Sequence, residues 1–150
     1  MRRLIATLGV LLALAMSAPV MAADSARPER QEKFGDLIIH YNAFASGMLQ
    51  PSIAKDAGLI RSKGQGVINI TAIRDGKTVP ASVSGTIKDL TGREKPLIFR
   101  PINANSAVNY IAQFAVEPDS SATYIFTINA KAGDDDAHTL SFNQEIFSDQ

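Results

Sequence analysis

The chain has 150 residues, 45% of them hydrophobic, with no cysteine and a formal net charge of zero at pH 7. The absence of cysteine excludes disulfides, thiol chemistry and a lipid-modified cysteine at the N-terminus. The balanced charge argues against nucleic-acid binding and against attraction to an anionic membrane surface, because both depend on an excess of basic groups.

The first 22 residues have the pattern of a secretory signal peptide. Arg2 and Arg3 form a basic start, residues 4–16 are almost entirely apolar, and residues 20–22 form a small-x-small cleavage site. The apolar run is shorter than the roughly 20 residues of a transmembrane helix. We therefore expect cleavage before Ala23 and a periplasmic protein with no stable membrane insertion after signal cleavage. Loss of two arginines leaves 15 − 2 = 13 basic against 15 acidic residues, a formal charge of −2.

The remaining chain is predicted to form one domain preceded by a short arm. Residues 23–33 are polar and contain Pro28, which is typical of a flexible N-terminal arm. Residues 34–150 are long enough for a single hydrophobic core, which must hold the domain together without disulfides.

From Phe34 onward, short β-type runs alternate with turn residues. The predicted strands are 34–44, 67–74, 82–89, 96–101, 107–116, 123–131 and 139–147. Asp75-Gly76 predicts a tight hairpin turn because both residues tolerate positive φ. The prolines at both ends of 96–101 indicate an edge or irregular strand. About seven strands at this spacing favour an all-β, immunoglobulin-like β-sandwich, with a small β-barrel as the alternative.

Two local signals add to this pattern. Residues 51–57 predict one short helix, because Pro51 suits the first helical position and Gly58 suits the left-handed residue after the last turn. Residues 118–124 resemble the tyrosine corner of immunoglobulin-like domains, in which a tyrosine at the start of a late strand bonds back to the preceding loop. The corner predicts that the Tyr124 hydroxyl contacts the backbone of residues 117–122.

No motif for catalysis or cofactor binding is present, so we expect no catalytic residue, no cofactor and a non-enzymatic protein. Metal binding is the alternative. His40, Met48 and His138 are possible copper ligands, and the carboxylates of residues 134–136 are possible calcium ligands. Neither set has the spacing of a known metal motif, and the primary prediction contains no metal site.

The most promising interaction surface lies in the first third of the domain, where aromatic, amide and basic side chains are close in sequence. Its candidate residues are His40, Tyr41, Asn42, Phe44, Gln50, Arg61 and Lys63. The long connection that contains the last three also favours a functional role. The alternative interpretation places Tyr41 and Phe44 in the core and leaves Arg61 and Lys63 in a solvated loop. The preferred function is a protein-binding or accessory module with an envelope protein as its unknown partner; the alternative is a periplasmic copper- or calcium-binding protein.

The same region carries a family resemblance. The matching segments are residues 34–36, 41–44, 49–51, 53–54, 61–63 and 69–70. They resemble the DUF4426 family of exported proteins of Gram-negative bacteria. The resemblance implies a periplasmic protein of unknown role and transfers no catalytic or ligand residue.

Overall fold

A computed structural model describes residues 30–148, and the predicted signal peptide and most of the predicted arm lie outside this range. The described chain forms ten strands, one α-helix and one 3₁₀ turn. They are β1 (Gln31–Phe34), β2 (Leu37–Ala45), the 3₁₀ turn (Ser46–Met48), α1 (Pro51–Ala57), β3 (Gln65–Arg74), β4 (Lys77–Thr78), β5 (Ala81–Asp89), β6 (Glu94–Leu97), β7 (Arg100–Ala104), β8 (Ala107–Ala115), β9 (Ser121–Ala132) and β10 (His138–Phe147).

The strands form two antiparallel sheets. The larger sheet has the order β1-β2-β3-β8-β7, with β4 added beside β3, and the smaller sheet has the order β10-β9-β5-β6. The paths β2-β3-β8-β7 and β10-β9-β5-β6 correspond to strands A-B-E-D and G-F-C-C′ of an immunoglobulin-like sandwich. The predicted sandwich is confirmed, and the barrel alternative is wrong because the sheets do not close on each other.

The core lies between the two sheets and is built by strict alternation along the strands. Four alternating residues of β9 are all buried: Tyr124, Phe126, Ile128 and Ala130. Phe126 is fully buried, and its ring centroid lies 5.2 Å from that of Phe114 in the larger sheet and 5.0 Å from that of Phe142 in β10. Aromatic side chains of both sheets therefore meet at the centre of the sandwich.

The strand predicted over 34–44 is wrong as a single strand. The structure divides it into β1 and β2, which pair as a hairpin with Phe34 opposite Leu37. Gly35 makes the reversal with φ +64°, a conformation that glycine adopts without steric cost. β1 begins at Gln31, inside the segment predicted as the arm.

The strand predicted over 96–101 is also divided. β6 ends at Leu97 in the smaller sheet and β7 begins at Arg100 in the larger sheet. Leu97 is buried, whereas Ile98 is 75% exposed in the link between the sheets. Pro96 and Pro101 both lie in edge strands, where a missing backbone N–H is tolerated.

The helix and turn predictions are confirmed. α1 spans the predicted residues, and Gly58 ends it with φ +66°. Asp75 and Gly76 have φ values of +52° and +75° in the turn between β3 and β4. Between residues 30 and 148, the structure contains no helix with the length and apolar character needed to cross a bilayer.

The position of Tyr124 agrees with the predicted tyrosine corner. Tyr124 lies near the start of β9, and its hydroxyl lies near the backbone N–H of Glu117, within the loop that the corner predicts. Burial of the ring is the largest influence on this group and raises the pKa of Tyr124, whereas the Glu117 N–H lowers it. The corner joins the loop after β8 to the start of β9.

Candidate functional site

Residues 46–64 connect β2 to β3 and cover part of the outer face of the larger sheet; we call them the capping connection. Its helix α1 buries Ala54 and Ala57, which together with Leu59 pack against Val67 of β3. Phe44, Leu49, Ile102 and Ile111 complete this second apolar cluster. Since Val67 and Phe44 are cross-strand partners and alternate with the residues of the main core, the cluster lies on the opposite side of the sheet.

A buried serine joins the two ends of the capping connection. The Ser46 side chain is fully buried, and its hydroxyl donates to the Ser62 carbonyl at 2.8 Å. The same hydroxyl accepts from the Ser62 backbone N–H at 2.9 Å. The connection therefore leaves and re-enters the sheet at nearly the same point, which fixes its ends.

Side chains from β7 and β8 hold the segment after α1. The amide of Gln113 donates to the Ile60 carbonyl at 2.9 Å and accepts from the Ile60 backbone N–H at 3.3 Å. The Arg100 guanidinium donates to the Gly58 carbonyl at 3.2 Å. These contacts fix the backbone of residues 58–60, from which the Ile60 side chain faces solvent.

The predicted surface residues of β2 divide between its two faces. His40 and Asn42 are exposed on the outer face, and Phe44 lies there under α1, half-buried. Tyr41 points into the sandwich, where its ring stacks on Phe142 with a centroid distance of 4.3 Å. The structure thus brings His40, Asn42 and Phe44 together and separates Tyr41 from them, because side chains alternate along a strand.

The predicted residues of the capping connection are exposed but have neighbours within the protein. Gln50 precedes α1 as its N-cap residue. The Arg61 guanidinium donates to the Gly47 carbonyl at 3.1 Å. The Lys63 ammonium forms an ion pair with Asp119 at 2.7 Å, and both side chains are more than half exposed. These basic groups help to hold the connection and still face solvent.

Three apolar side chains of the capping connection are exposed and were not among the predicted surface residues. Met48 is 65% exposed, Ile53 48% and Ile60 63%. Only six large apolar side chains are this exposed in residues 30–148, so half of them lie in this one connection. The helical period of α1 predicts that Ile53 is exposed. The buried residues Ala54 and Ala57 are three apart and define the face of the helix that contacts the sheet, and Ile53 lies on another face.

A row of amide and hydroxyl side chains follows on the outer face beside α1. Asn42 is the cross-strand partner of Asn69, and His40 is the partner of Thr71. The Thr71 hydroxyl donates to Asn109 Oδ1 at 2.6 Å. Among the described residues, Asn69 Oδ1 is the buried side-chain oxygen that has no hydrogen-bond donor. The sheet surface next to the capping connection is therefore polar.

The possible copper ligands are not brought together. His40 is exposed on the outer face of β2, whereas His138 stacks on Phe34 with ring centroids 4.4 Å apart. Phe34 pairs with the inward residue Leu37, so the two histidines lie on opposite sides of the larger sheet. Met48 lies beyond the far end of β2. Within residues 30–148, no three His, Cys, Asp or Glu side chains are placed to hold one metal ion.

The possible calcium ligands already have a cationic neighbour. The Arg74 guanidinium bonds to Asp135, and it also donates to Asp36 at 3.2 Å. The hydrogen bond that Arg74 donates to Asp135 is the largest reason why the pKa of Arg74 is raised. Asp136 and His138 line the same hollow of about 430 Å³. A guanidinium therefore already pairs with Asp135, one of the possible calcium ligands.

Comparison with known proteins places these features in a family. The family description "Domain of unknown function (DUF4426)" matches residues 31–149. The crystal structure of the DUF4426 family protein PA0388 from Pseudomonas aeruginosa PAO1 has 47% sequence identity and a TM-score of 0.73, covering 81% of this chain and 97% of that protein. Among curated proteins, none is significantly similar in sequence.

Two structures of FetP from uropathogenic Escherichia coli strain F11 have a similar fold. The protein as isolated after expression in the periplasm has 13% identity and a TM-score of 0.55, covering 78% of this chain and 92% of that one. A copper-bound variant has 13% identity and a TM-score of 0.53, covering 77% and 92%. At this identity the likeness shows a common fold.

Proposed function

The chain belongs to the DUF4426 family, and we propose that it is an exported, non-enzymatic binding module whose capping connection contacts an envelope protein. The observation that carries this proposal is a pre-ordered connection with exposed apolar side chains. Met48, Ile53 and Ile60 face solvent, while hydrogen bonds from Gln113 and Ser46 hold the backbone around them. A surface that is ordered before binding loses less conformational entropy when a partner docks.

The charges of the connection suggest the chemistry of the partner. Lys55, Arg61 and Lys63 are exposed within residues 46–64, against a single acidic side chain, Asp56. Apolar side chains with a basic rim match a partner surface that has an apolar centre and acidic edges. The neighbouring His40 and Asn42 extend the same surface with directed hydrogen-bonding groups.

The proposal is tested by removing the exposed apolar side chains together. We expect the triple variant Met48→Ser, Ile53→Ser, Ile60→Ser to keep the circular dichroism spectrum of the parent, because these side chains are outside both apolar clusters. The same variant should lose the partner recovered by crosslinking in the bacterial envelope. The matched control is Leu90→Ser with Ile98→Ser, two other exposed apolar positions. Loss of the partner by the control and retention by the triple variant would contradict the proposal.

The contribution of the basic side chains around the exposed apolar residues, which we call the basic rim, is tested separately. The double variant Arg61→Ala, Lys63→Ala should lower the free energy of unfolding by about 1 kcal/mol or less, since exposed ion pairs contribute little. It should also weaken binding of the crosslinked partner, with a steeper loss at low salt because electrostatic attraction is least screened there. Lys77→Ala with Lys131→Ala serves as the charge-matched control. Unchanged partner binding at low salt would remove the basic rim from the proposal.

We also propose that the protein works in the periplasm. The basic start, apolar run and cleavage site of residues 1–22 support this location. The intact mass of protein isolated from the envelope should correspond to a chain that begins at Ala23, or at Asp24 if cleavage occurs one residue later. A chain that retains Met1 in the membrane fraction would contradict export.

Copper binding is the competing hypothesis, because FetP has a similar fold and one of its variants has been crystallised with copper. Protein purified from the periplasm should contain less than stoichiometric metal if the binding-module proposal is correct. Stoichiometric copper that survives gel filtration, and that is lost on His40→Ala or His138→Ala, would instead favour the metal-binding alternative.

A further inference from the structure

A second feature of the described residues is a cleft away from the capping connection, at the end of the sandwich that carries Tyr124. It has a volume of about 620 Å³ and opens between the β5–β6 hairpin and the end of β8. Ile87, Val116 and Tyr124 form its floor and are all buried. Leu90, at the hairpin turn, is 72% exposed beside it. The volume lies in the range of natural ligand pockets.

One side of this cleft is a strand edge that β7 leaves uncovered. β7 pairs with β8 only from residue 107 to residue 111, whereas β8 continues to Ala115 beside β3. The chain before Arg100 departs to β6 in the other sheet instead of following β8 further. Within the described chain, no strand therefore pairs with the β7 side of residues 112–115.

The hydrogen-bond alternation of the sheet identifies the backbone groups at this edge. The Val116 N–H donates to the Gly64 carbonyl at 3.0 Å. Because backbone groups alternate in direction along a strand, the N–H and C=O groups of the even-numbered residues of β8 point toward β3. Pro101, which has no N–H, lies opposite the even-numbered Tyr110, as this alternation requires. The N–H and C=O groups of Gln113 and Ala115 therefore point toward the uncovered side.

Charged side chains of both signs line the cleft. They include Arg93 and Lys95 of the β5–β6 hairpin and Glu117 in the loop after β8. Arg93 has a loose ion pair with Asp89 at 3.8 Å, and the Asp89 carboxylate also accepts a hydrogen bond from the Arg93 backbone N–H. The cleft thus offers an apolar floor and charged groups of both signs to one occupant.

We propose that this cleft binds an extended peptide segment that adds to β8 as a further strand. The segment would pair with the backbone of Gln113 and Ala115, in the strand-addition mode of peptide recognition. Its residue opposite Phe114 would point inward, because Phe114 itself points into the sandwich. That residue places an apolar side chain over Ile87 and Tyr124, and the flanking residues meet the charged side chains that line the cleft. This inference is independent of the partner proposed for the capping connection.

The test uses heptapeptides selected against the mature protein from a random phage-displayed library, then synthesised with blocked ends. We expect the selected peptides to share one apolar residue and to shift the backbone amide NMR signals of Gln113 and Ala115. Ala115→Pro removes a donor that faces the uncovered edge and leaves the β3 ladder intact. It should weaken binding about tenfold, the loss of one or two hydrogen bonds. Ala115→Ser keeps the N–H and should bind like the parent.

A second variant guards against a folding defect in Ala115→Pro. Leu90→Ser changes only an exposed side chain beside the cleft, and it should also weaken the selected peptides. The inference is overturned if the library yields no peptide above background, if the peptides shift amides of the capping connection instead, or if both variants bind like the parent. Failure of the envelope partner to bind the capping connection would leave these results unchanged, so the two proposals fail separately.

Discussion

Gly66 illustrates how tightly individual residues pack between the sheets. It lies opposite Phe114 in the β3–β8 pair, and a Cβ at this position would stand 2.2 Å from the ring. The ring cannot move away freely, since Tyr124 and Phe126 contact it with centroid distances of 6.0 Å and 5.2 Å. We expect Gly66→Ala to lower the free energy of unfolding by about 1–3 kcal/mol, the usual cost of overpacking.

Gly64 provides the matched control, two residues earlier in the chain. A Cβ there would meet no atom closer than 3.8 Å, so Gly64→Ala should change stability little. Urea unfolding of both variants measures the difference. Equal midpoints for the two variants would mean that the Phe114 ring can move without cost, contrary to the packing described above.

Asp89 shows a residue that stabilises a turn through its charge. Its carboxylate accepts from the Thr91 hydroxyl at 2.6 Å and from the backbone N–H groups of Thr91 and Arg93 at 2.9 and 3.0 Å. The Thr91 hydroxyl is the main reason why the pKa of Asp89 lies below its ordinary value of 3.8. A depressed folded-state pKa stabilises the protein above the unfolded pKa, and this stabilisation is lost as the pH falls through the folded value.

The consequence is a pH-dependent effect of Asp89→Ala. We expect this variant to be less stable than the parent at neutral pH, and the difference to shrink as the pH falls below 3.8. Urea unfolding at neutral pH and at several acidic values measures the two differences. Asp134→Ala is the control, since this carboxylate lies in an exposed loop. A difference that stays constant down to the lowest pH would show that the charge of Asp89 is not what stabilises the turn.

At the scale of the elements, Ser46 holds the two ends of the capping connection together. Its hydroxyl makes both hydrogen bonds to the Ser62 backbone, and the side chain is fully buried. We expect Ser46→Ala to lower the free energy of unfolding by about 1–2 kcal/mol, because it removes two part-buried hydrogen bonds to the Ser62 backbone. Hydrogen exchange of the amides in residues 58–62 should also become faster. Ser52→Ala, at an exposed position of α1, should change neither quantity; equal exchange in both variants would contradict the role of Ser46.

The elements that the sequence predicts correctly are those with local signals. α1 has a proline at its start and a left-handed glycine after its end, so its bounds depend on nearby residues alone. The two wrong strands fail for different reasons. Segment 34–44 contains a local turn signal in Gly35 and Asp36, and both of its halves join the larger sheet. In segment 96–101, residues 97–99 are all apolar, and nothing local separates the buried Leu97 from the exposed Ile98. The division of this second segment depends on which sheet each half joins, which is a tertiary property.

The same limit applies to the candidate sites of the whole molecule. Alternation along β2 groups His40 with Asn42 and Phe44, but both faces of this strand carry apolar residues, so the sequence leaves the inner face open. The second apolar cluster under α1 explains this ambiguity. No sequence pattern predicts the cleft beside Ala115. The cleft arises because β7 pairs with β8 only as far as Ile111, whereas β8 continues to Ala115. Such a gap becomes visible only once both sheets are assembled.

The whole molecule also has to protect its edge strands from pairing with other copies. β10 has ten residues and lies at the edge of the smaller sheet. Side chains of residues 30 and 34, just before the start and at the end of β1, contact side chains of β10. The Arg30 guanidinium bonds to the Gln144 side chain, and Phe34 stacks on His138 with ring centroids 4.4 Å apart. β1 also pairs with β2, so this short strand covers part of the edge of β2 while its side chains contact those of β10. Uncovered edges of this kind promote self-association.

Removing β1 should therefore change the association state of the protein. We expect a chain that begins at Asp36 to form concentration-dependent oligomers in sedimentation velocity, compared with the mature chain at the same concentrations. The control is the shortened chain with His40→Lys and Asn143→Lys, since both positions are exposed and lysine on an edge strand opposes pairing. This control should sediment like the mature chain. If the shortened chain without lysines also sediments like the mature chain at every concentration, β1 does not act as the edge shield, and its contacts with Gln144 and His138 serve only to stabilise the fold.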